Sequence, residues 1–289
     1  MLQSTTVVLA IAHLAAAVPT FNSANLVSNL QNAALDEISG LAASRIHDGI
    51  LYGINDHTSS TVENKVYAIN ANTGALAATL TITGATNWDW EDIAVGPCPD
   101  SGSCIYIGDI GNSNGISQNT VYRVKEPATL EDSSVPYLDK LQYRWSEKES
   151  ECLMVDPAGN AYVVSRVQGG HGLMAKLPSF GWAGKAVDVT VTSRLSTTTA
   201  HHDPLGCDIS PDGKAMLIKA KDDIYYYSVP DGDYVEAAKG QATTVKYDMK
   251  EHLGESVAWT AKGDGYYTVS EGTYQPIYLY SVVGTVVVG

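Results

Sequence analysis

The chain repeats one unit five times at intervals of 50 to 60 residues. Units this short cannot bury their own apolar faces, so they must stack on one another. The first element of each unit is an apolar strand rich in small residues: SGLAAS at 39–44, EDIAVGP at 91–97, ECLMVDP at 151–157, LGCDISP at 205–211 and ESVAWTA at 255–261. A turn containing Gly follows (HDG, PDSG, PAG, PDG, KGDG), then a second strand: ILYGIND, CIYIGD, NAYVVSR, KAMLIKA or GYYTVSE. Third strands read as VYAI, VYRV, IYYYSV and IYLYSV, with LMAKL as the deviant copy, and fourth strands as AATLTIT, LQYRWS, DVTVTS and TTVKYD. Seventeen Tyr and 26 Gly suit short strands joined by tight turns.

This layout predicts an all-β fold, a five-bladed β-propeller of four-stranded antiparallel blades. The fifth unit lacks a fourth strand, and the segment around Leu26 to Gln31 is expected to supply it, closing the ring and removing exposed blade edges. A β-sandwich with coincidental spacing is the alternative. Residues 1–17 read as a signal peptide and 18–289 as a single five-bladed domain. The apolar stretch from Val7 ends in Ala15-Ala16-Ala17, a cleavage-like pattern too short to span a bilayer, although early positive residues are missing. A secreted, extracellular protein is expected. Cys98 and Cys104 bracket a Pro/Gly/Ser-rich spacer and are predicted to form a disulfide across a hairpin. Cys152 and Cys207 fit either two buried thiols or a second bridge.

A net charge of -14 repels phosphate backbones and anionic lipid, which sets aside nucleic acid and membrane partners. A monomer with a small-molecule or carbohydrate ligand is expected. Loops alternate between the two faces of such a ring. One face receives the long loops after each second strand and the approaches to each inner strand, including His57, His171, His201, His202 and His252; His47 lies on the other. Loops held by a rigid scaffold concentrate function, so the His-rich face is the candidate binding face.

The strings EISGLA, IND, DWEDIAVGP, IYIGDIGNSN and VYRVKEP, across residues 36–127, resemble a family of secreted microbial β-propeller proteins. The resemblance implies importance for Asn55, Asp56, Asp89, Glu91, Asp109, Asn112, Glu151 and Glu271. Ser113 departs from the family's acidic GDIGDN pattern.

Glu91, Glu151 and Glu255 hold the same rank in three inner strands and are expected to converge on the channel. Converging carboxylates repel, so they need a cation, protonation or water between them. A hard, oxygen-liganded ion, Ca²⁺, held by these residues with Asp89 is one solution; hydrogen bonding to neighbouring backbone N–H groups is the other. Second-strand ends align Asp56, Asp109, Arg166, Lys219 and Glu271. Arg166 and Lys219 suit an anionic ligand group, or else salt bridges with Glu149, Glu151 or Asp222. Trp88 and Tyr274 are candidates for stacking on a sugar, with Asn55, Asp56, His57, Asp109, Asn112 and Glu271 as further ligand contacts, whereas Trp90 suits the core. Three functional readings follow: a binding propeller built around a divalent cation; a lyase or hydrolase in which His201, His202 or His171 moves a proton beside Arg166 and Lys219; and a protein-interaction scaffold.

Overall fold

A computed structural model describes residues 17–56, 63–111, 119–147, 149–167, 171–197, 203–249 and 251–287. The segment read as a signal peptide lies outside these residues except for Ala17. In chain order, β1 (Ala17–Phe21) and β2 (Asn25–Asn29) precede the first complete blade, β3 (Ile38–Ala43), β4 (Ile50–Asn55), β5 (Lys65–Asn70) and β6 (Leu76–Thr83). The second blade comprises β7 (Trp90–Pro97), β8 (Ser103–Asp109) and β9 (Asn119–Lys125). After β10 (Ser133–Pro136), which joins the first sheet, it is completed by β11 (Asp139–Arg144). The third is β12 (Ser150–Val155), β13 (Ala161–Ser165) and β14 (Leu173–Lys176); then come β15 (Val187–Asp188) and β16 (Ser193–Arg194). The fourth is β17 (Pro204–Ile209), β18 (Ala215–Ala220), β19 (Ile224–Ser228), the single turn α1 (Tyr234–Ala237) and β20 (Thr243–Val245). The fifth is β21 (Gly254–Trp259), β22 (Gly265–Ser270) and β23 (Pro276–Val287).

The protein is a five-bladed β-propeller. Inner strands β3, β7, β12, β17 and β21 follow one another around the axis, with β21 returning to β3. Because blades stack on both faces, an inner strand has no solvent side: all six residues of β3 are buried, as are those of β12 and β17. Outer β6 instead alternates, with Ala78, Leu80 and Ile82 buried. Each of the five blade interfaces holds its own apolar cluster. Tyr52 and Val66 meet Trp90 and Ile107 between the first and second blades, and Leu41 and Tyr67 meet Val269 and Ile277 between the first and fifth. Trp90 is thus a core residue.

The ring closes as the repeat analysis required. β2 pairs antiparallel with the first part of β23, Leu26 opposite Tyr278, while β1 continues the same edge opposite Val282–Val287. The sequence reading differs at one fourth strand. DVTVTS splits: Val187–Asp188 pairs parallel with β11 of the second blade, and only Ser193–Arg194 pairs with β14. The cause is edge protection. In the same way β10 runs parallel to β6 and covers the first blade, so a segment from each following blade caps an otherwise open edge. Cys98 and Cys104 form the expected disulfide, while Cys152 and Cys207 are free and buried.

Tight contact at the axis depends on two glycines. A Cβ on Gly40 would lie 2.7 Å from the Ile93 nitrogen and 2.8 Å from Asp92 Cα, and one on Gly206 would lie 2.5 Å from the Glu255 carbonyl oxygen. Backbone cannot retreat from either. Gly40→Ala is therefore expected to cost more than about 2 kcal/mol in denaturant unfolding. Gly232→Ala, at φ 80° with nothing within 4 Å, should cost only about 1 kcal/mol of stability, from the backbone strain it introduces. Equal losses would contradict this account of the axis.

Candidate functional site

Each inner strand carries a β-bulge at the same rank, just inside the face that receives the loops after the second strands, the upper face. Pairing shifts between Ile38 and Gly40, Trp90 and Asp92, Ser150 and Cys152, Pro204 and Gly206, and Gly254 and Ser256. The residues left unpaired are Ser39, Glu91, Glu151, Leu205 and Glu255. A bulge re-aims a side chain out of the pleat, and a five-fold repetition makes a ring. Ser39 Oγ donates to the Glu91 carbonyl at 2.6 Å, tying the first two blades together. The three glutamates interact electrostatically. Burial raises the Glu91 and Glu151 carboxyls well above the usual carboxylate range, the negative charges of the other acids push them further, and only Arg166 pulls Glu151 down.

Asp56, Asp89 and Glu91 form a close all-carboxylate group among the described residues: one carboxylate oxygen from each lies within 4.8 Å of the other two. Asp89 and Glu91 are buried and Asp56 is half-buried. Local backbone fixes them. Asp109 Oδ1 accepts from the backbone nitrogens of Asp89 at 2.9 Å and Trp88 at 3.2 Å, while the Asp89 carbonyl accepts from Ile110 and Gly111. Gly111 brings the backbone against both acids. A Cβ there would lie 2.1 Å from Glu91 Oε1 and 2.2 Å from Asp89 Oδ2, so a side chain at the last glycine of the GDIG string would displace both carboxylates.

Arg166 and Lys219 are both engaged within the fold. Arg166 Nη1 donates to Glu151 at 2.9 Å and Glu149 at 3.3 Å, and its Nε donates to Asp203 at 3.1 Å. One guanidinium thus faces three carboxylates, as in the salt-bridge alternative. Lys219 is fully buried, donating to the Ala220 carbonyl with its amine 4.2 Å from the Tyr247 ring centroid. Burial lowers its pKa to about 8 against the pull of Glu251 and Glu255. Neither cation opposes the acidity of the upper mouth with an open positive surface.

His171 lies beside Glu147, a residue that the sequence reading missed. Its Nδ1 is 3.2 Å from the Glu147 carboxylate, which also accepts from Ser165 Oγ at 3.0 Å and from the His171 backbone nitrogen at 2.9 Å. The imidazole is exposed and the Glu147 side chain is buried. The acidic run SEKES carried the only signal for Glu147. His252 is exposed, as are Trp88 and Tyr274 on loops of the upper face. Asn55 lies beneath that face, its Nδ2 donating to the Ala34 carbonyl at 2.6 Å. Asp109 is buried behind Asp89, and the Glu271 carboxyl shares a hydrogen bond with the Glu255 side chain. His57, Asn112, His201 and His202 lie outside the described residues.

Below the ring, Asp92 joins three blades. Its carboxylate accepts from Leu153 N at 2.8 Å, Cys207 N at 3.3 Å and its own neighbour Ile93 N at 2.8 Å. The backbone pairing expected as an alternative for the channel glutamates is thus made by this aspartate.

No protein-family model and no curated protein matches the chain. Among solved structures, the PQQ-bound aldose sugar dehydrogenase of Streptomyces coelicolor superposes with a TM-score of 0.54 at 11% identity, covering 93% of this chain and 100% of that one. A protein described as a putative 6-phosphogluconolactonase from Bacteroides uniformis gives 0.42 at 16% identity, over 90% and 74%. The first likeness supports the propeller fold.

Burial first, and then neighbouring acids, raise Glu271 to about 8; burial raises Asp109 to about 7. The folded chain therefore holds protons that the unfolded chain releases near pH 4. Their stabilisation is full below that pH and is lost as pH rises through 7 and 8. Metal-free protein is expected to melt on the order of 5 °C lower at pH 8 than at pH 5. A flat profile in the presence of chelator would contradict the coupling.

Proposed function

We propose that this protein is a secreted propeller that binds a divalent cation, Ca²⁺, at Asp56, Asp89 and Glu91 and uses it to hold an acidic carbohydrate at the upper mouth. One observation carries the reading: three carboxylate oxygens from two blades lie within 4.8 Å of one another, against a glycine that leaves no room for a side chain. Oxygen donors alone suit a hard cation, and Glu151 and Glu255 add negative charge nearby. The cation supplies positive charge that Arg166 and Lys219, engaged within the fold, do not present. Hydroxyl and carboxylate oxygens of a uronate can complete its coordination, with exposed Trp88 and Tyr274 available for stacking on sugar rings.

A specific contact favours a second reading, that of a lyase or hydrolase. Buried Glu147 orients the exposed imidazole of His171, the arrangement a general base requires. In that case the cation neutralises the substrate carboxylate while His171 moves a proton.

Chelator-treated protein titrated with CaCl₂ is expected to show a saturable rise in melting temperature, with about 2.7 kcal/mol of stabilisation at a hundredfold excess over Kd. Glu91→Gln should weaken Ca²⁺ binding at least tenfold, and an oligouronate should bind only with Ca²⁺ present. An unchanged melting curve with Ca²⁺ and with chelator would overturn the cation site. Cleavage of the oligouronate that disappears in Glu147→Gln would favour the enzyme.

A further inference from the structure

Cys152 and Cys207 take no part in the hairpin disulfide or in the upper mouth. They lie in the inner strands β12 and β17 of adjacent blades and meet in the apolar cluster between them. Asp92 reaches them from β7 of the second blade. One Asp92 oxygen and the two Sγ atoms all lie within 4.8 Å of one another, and all three residues are buried. Where the upper group offers oxygen alone, this one offers two sulfurs and one oxygen from three blades.

The separations suit one tetrahedral metal ion. Zn–S bonds of about 2.3 Å and a Zn–O bond of about 2.1 Å put sulfur and oxygen about 3.6 Å apart, and two sulfurs about 3.8 Å apart. The Cys207 Sγ lies 3.8 Å from Asp92 Oδ2, to which it donates. An ion would take the place of that thiol proton. The carboxylate has room for it: of about four lone pairs, backbone N–H groups of Ile93, Leu153 and Cys207 take three, the last at a long 3.3 Å.

Sulfur and charge then choose the ion. Thiolates select soft or borderline metals over Ca²⁺. Exchanging two thiol protons for one divalent ion leaves the net charge of a buried site unchanged, whereas a monovalent ion would strand an extra negative charge at low dielectric. Burial pushes the Cys152 thiol up to about 11 and holds Cys207 and Asp92 well above their ordinary values, so the protons stay until an ion displaces them. A closed site of this kind loads as the chain folds and needs no path through the finished ring.

We infer that Asp92, Cys152 and Cys207 bind one Zn²⁺, which fastens the second, third and fourth blades together at the axis. The site is separate from the Ca²⁺ site proposed for the upper mouth.

The full chain, unfolded in guanidinium without reductant under argon and refolded with ZnCl₂, CoCl₂ or chelator, tests the assignment. After desalting, zinc-refolded protein is expected to retain one zinc per chain and to melt higher than chelator-refolded protein. The cobalt form should show a thiolate-to-metal charge-transfer band. Cys152→Ser and Cys207→Ser should each weaken zinc binding at least tenfold and remove that band, whereas Glu91→Gln, which disables the upper site, should keep both. No retained zinc, zinc retained equally in both cysteine variants, or a cobalt spectrum without a sulfur band would overturn the site. So would a mass showing that zinc-refolded protein carries a Cys152–Cys207 disulfide. If the variants do not fold, the cobalt spectrum of the unaltered chain decides; if refolding fails, the zinc content of protein purified from zinc-supplemented culture does.

Discussion

Everything in this molecule depends on how closely five inner strands can approach one axis. At Gly40 and Gly206 the backbone of the next blade occupies the space of a Cβ, and at Asp92 one carboxylate accepts N–H groups from two further blades. The strands converge so tightly that side chains at the upper rim leave the pleat through bulges. Those bulges set Glu91, Glu151 and Glu255 towards the channel. The acidity of the upper mouth therefore follows from the packing of the ring.

The two mouths then differ in electrostatic character. Above, carboxylates outnumber cations, and Arg166 is surrounded by Glu149, Glu151 and Asp203. Such a site is stable only with protons or an added cation, because like charges at low dielectric repel strongly. Below, Arg45, Asp156 and the prolines Pro97, Pro157 and Pro211 border a cavity at the other end of the axis. One scaffold thus carries two environments, and each follows from which copies of the repeat depart from the others.

The fold was legible because repetition is written in residue type and spacing. Apolar inner strands, turn glycines and Tyr-rich third strands recur at nearly constant intervals, and the missing fourth strand of the last unit pointed to Leu26 and its neighbours. The common rank of Glu91, Glu151 and Glu255 was legible for the same reason. Less visible were the contacts that cross between blades. DVTVTS has the composition of one strand, yet it divides between two sheets because the open edge of the second blade competes for it. Glu147 looked like one more acid in a polar loop until the turn before β14 placed His171 on it.

The sequence by itself determined a ring of five blades, the hairpin disulfide and the acids that share the inner-strand rank, since each depends on local periodicity and on residues close in the chain. Only the tertiary structure decided that Arg166 and Lys219 are engaged inside the fold, that Asp56 joins Asp89 and Glu91 from another blade, and that Arg45 borders a lower cavity. Those outcomes depend on distances between blades, which the order of residues along one strand does not encode.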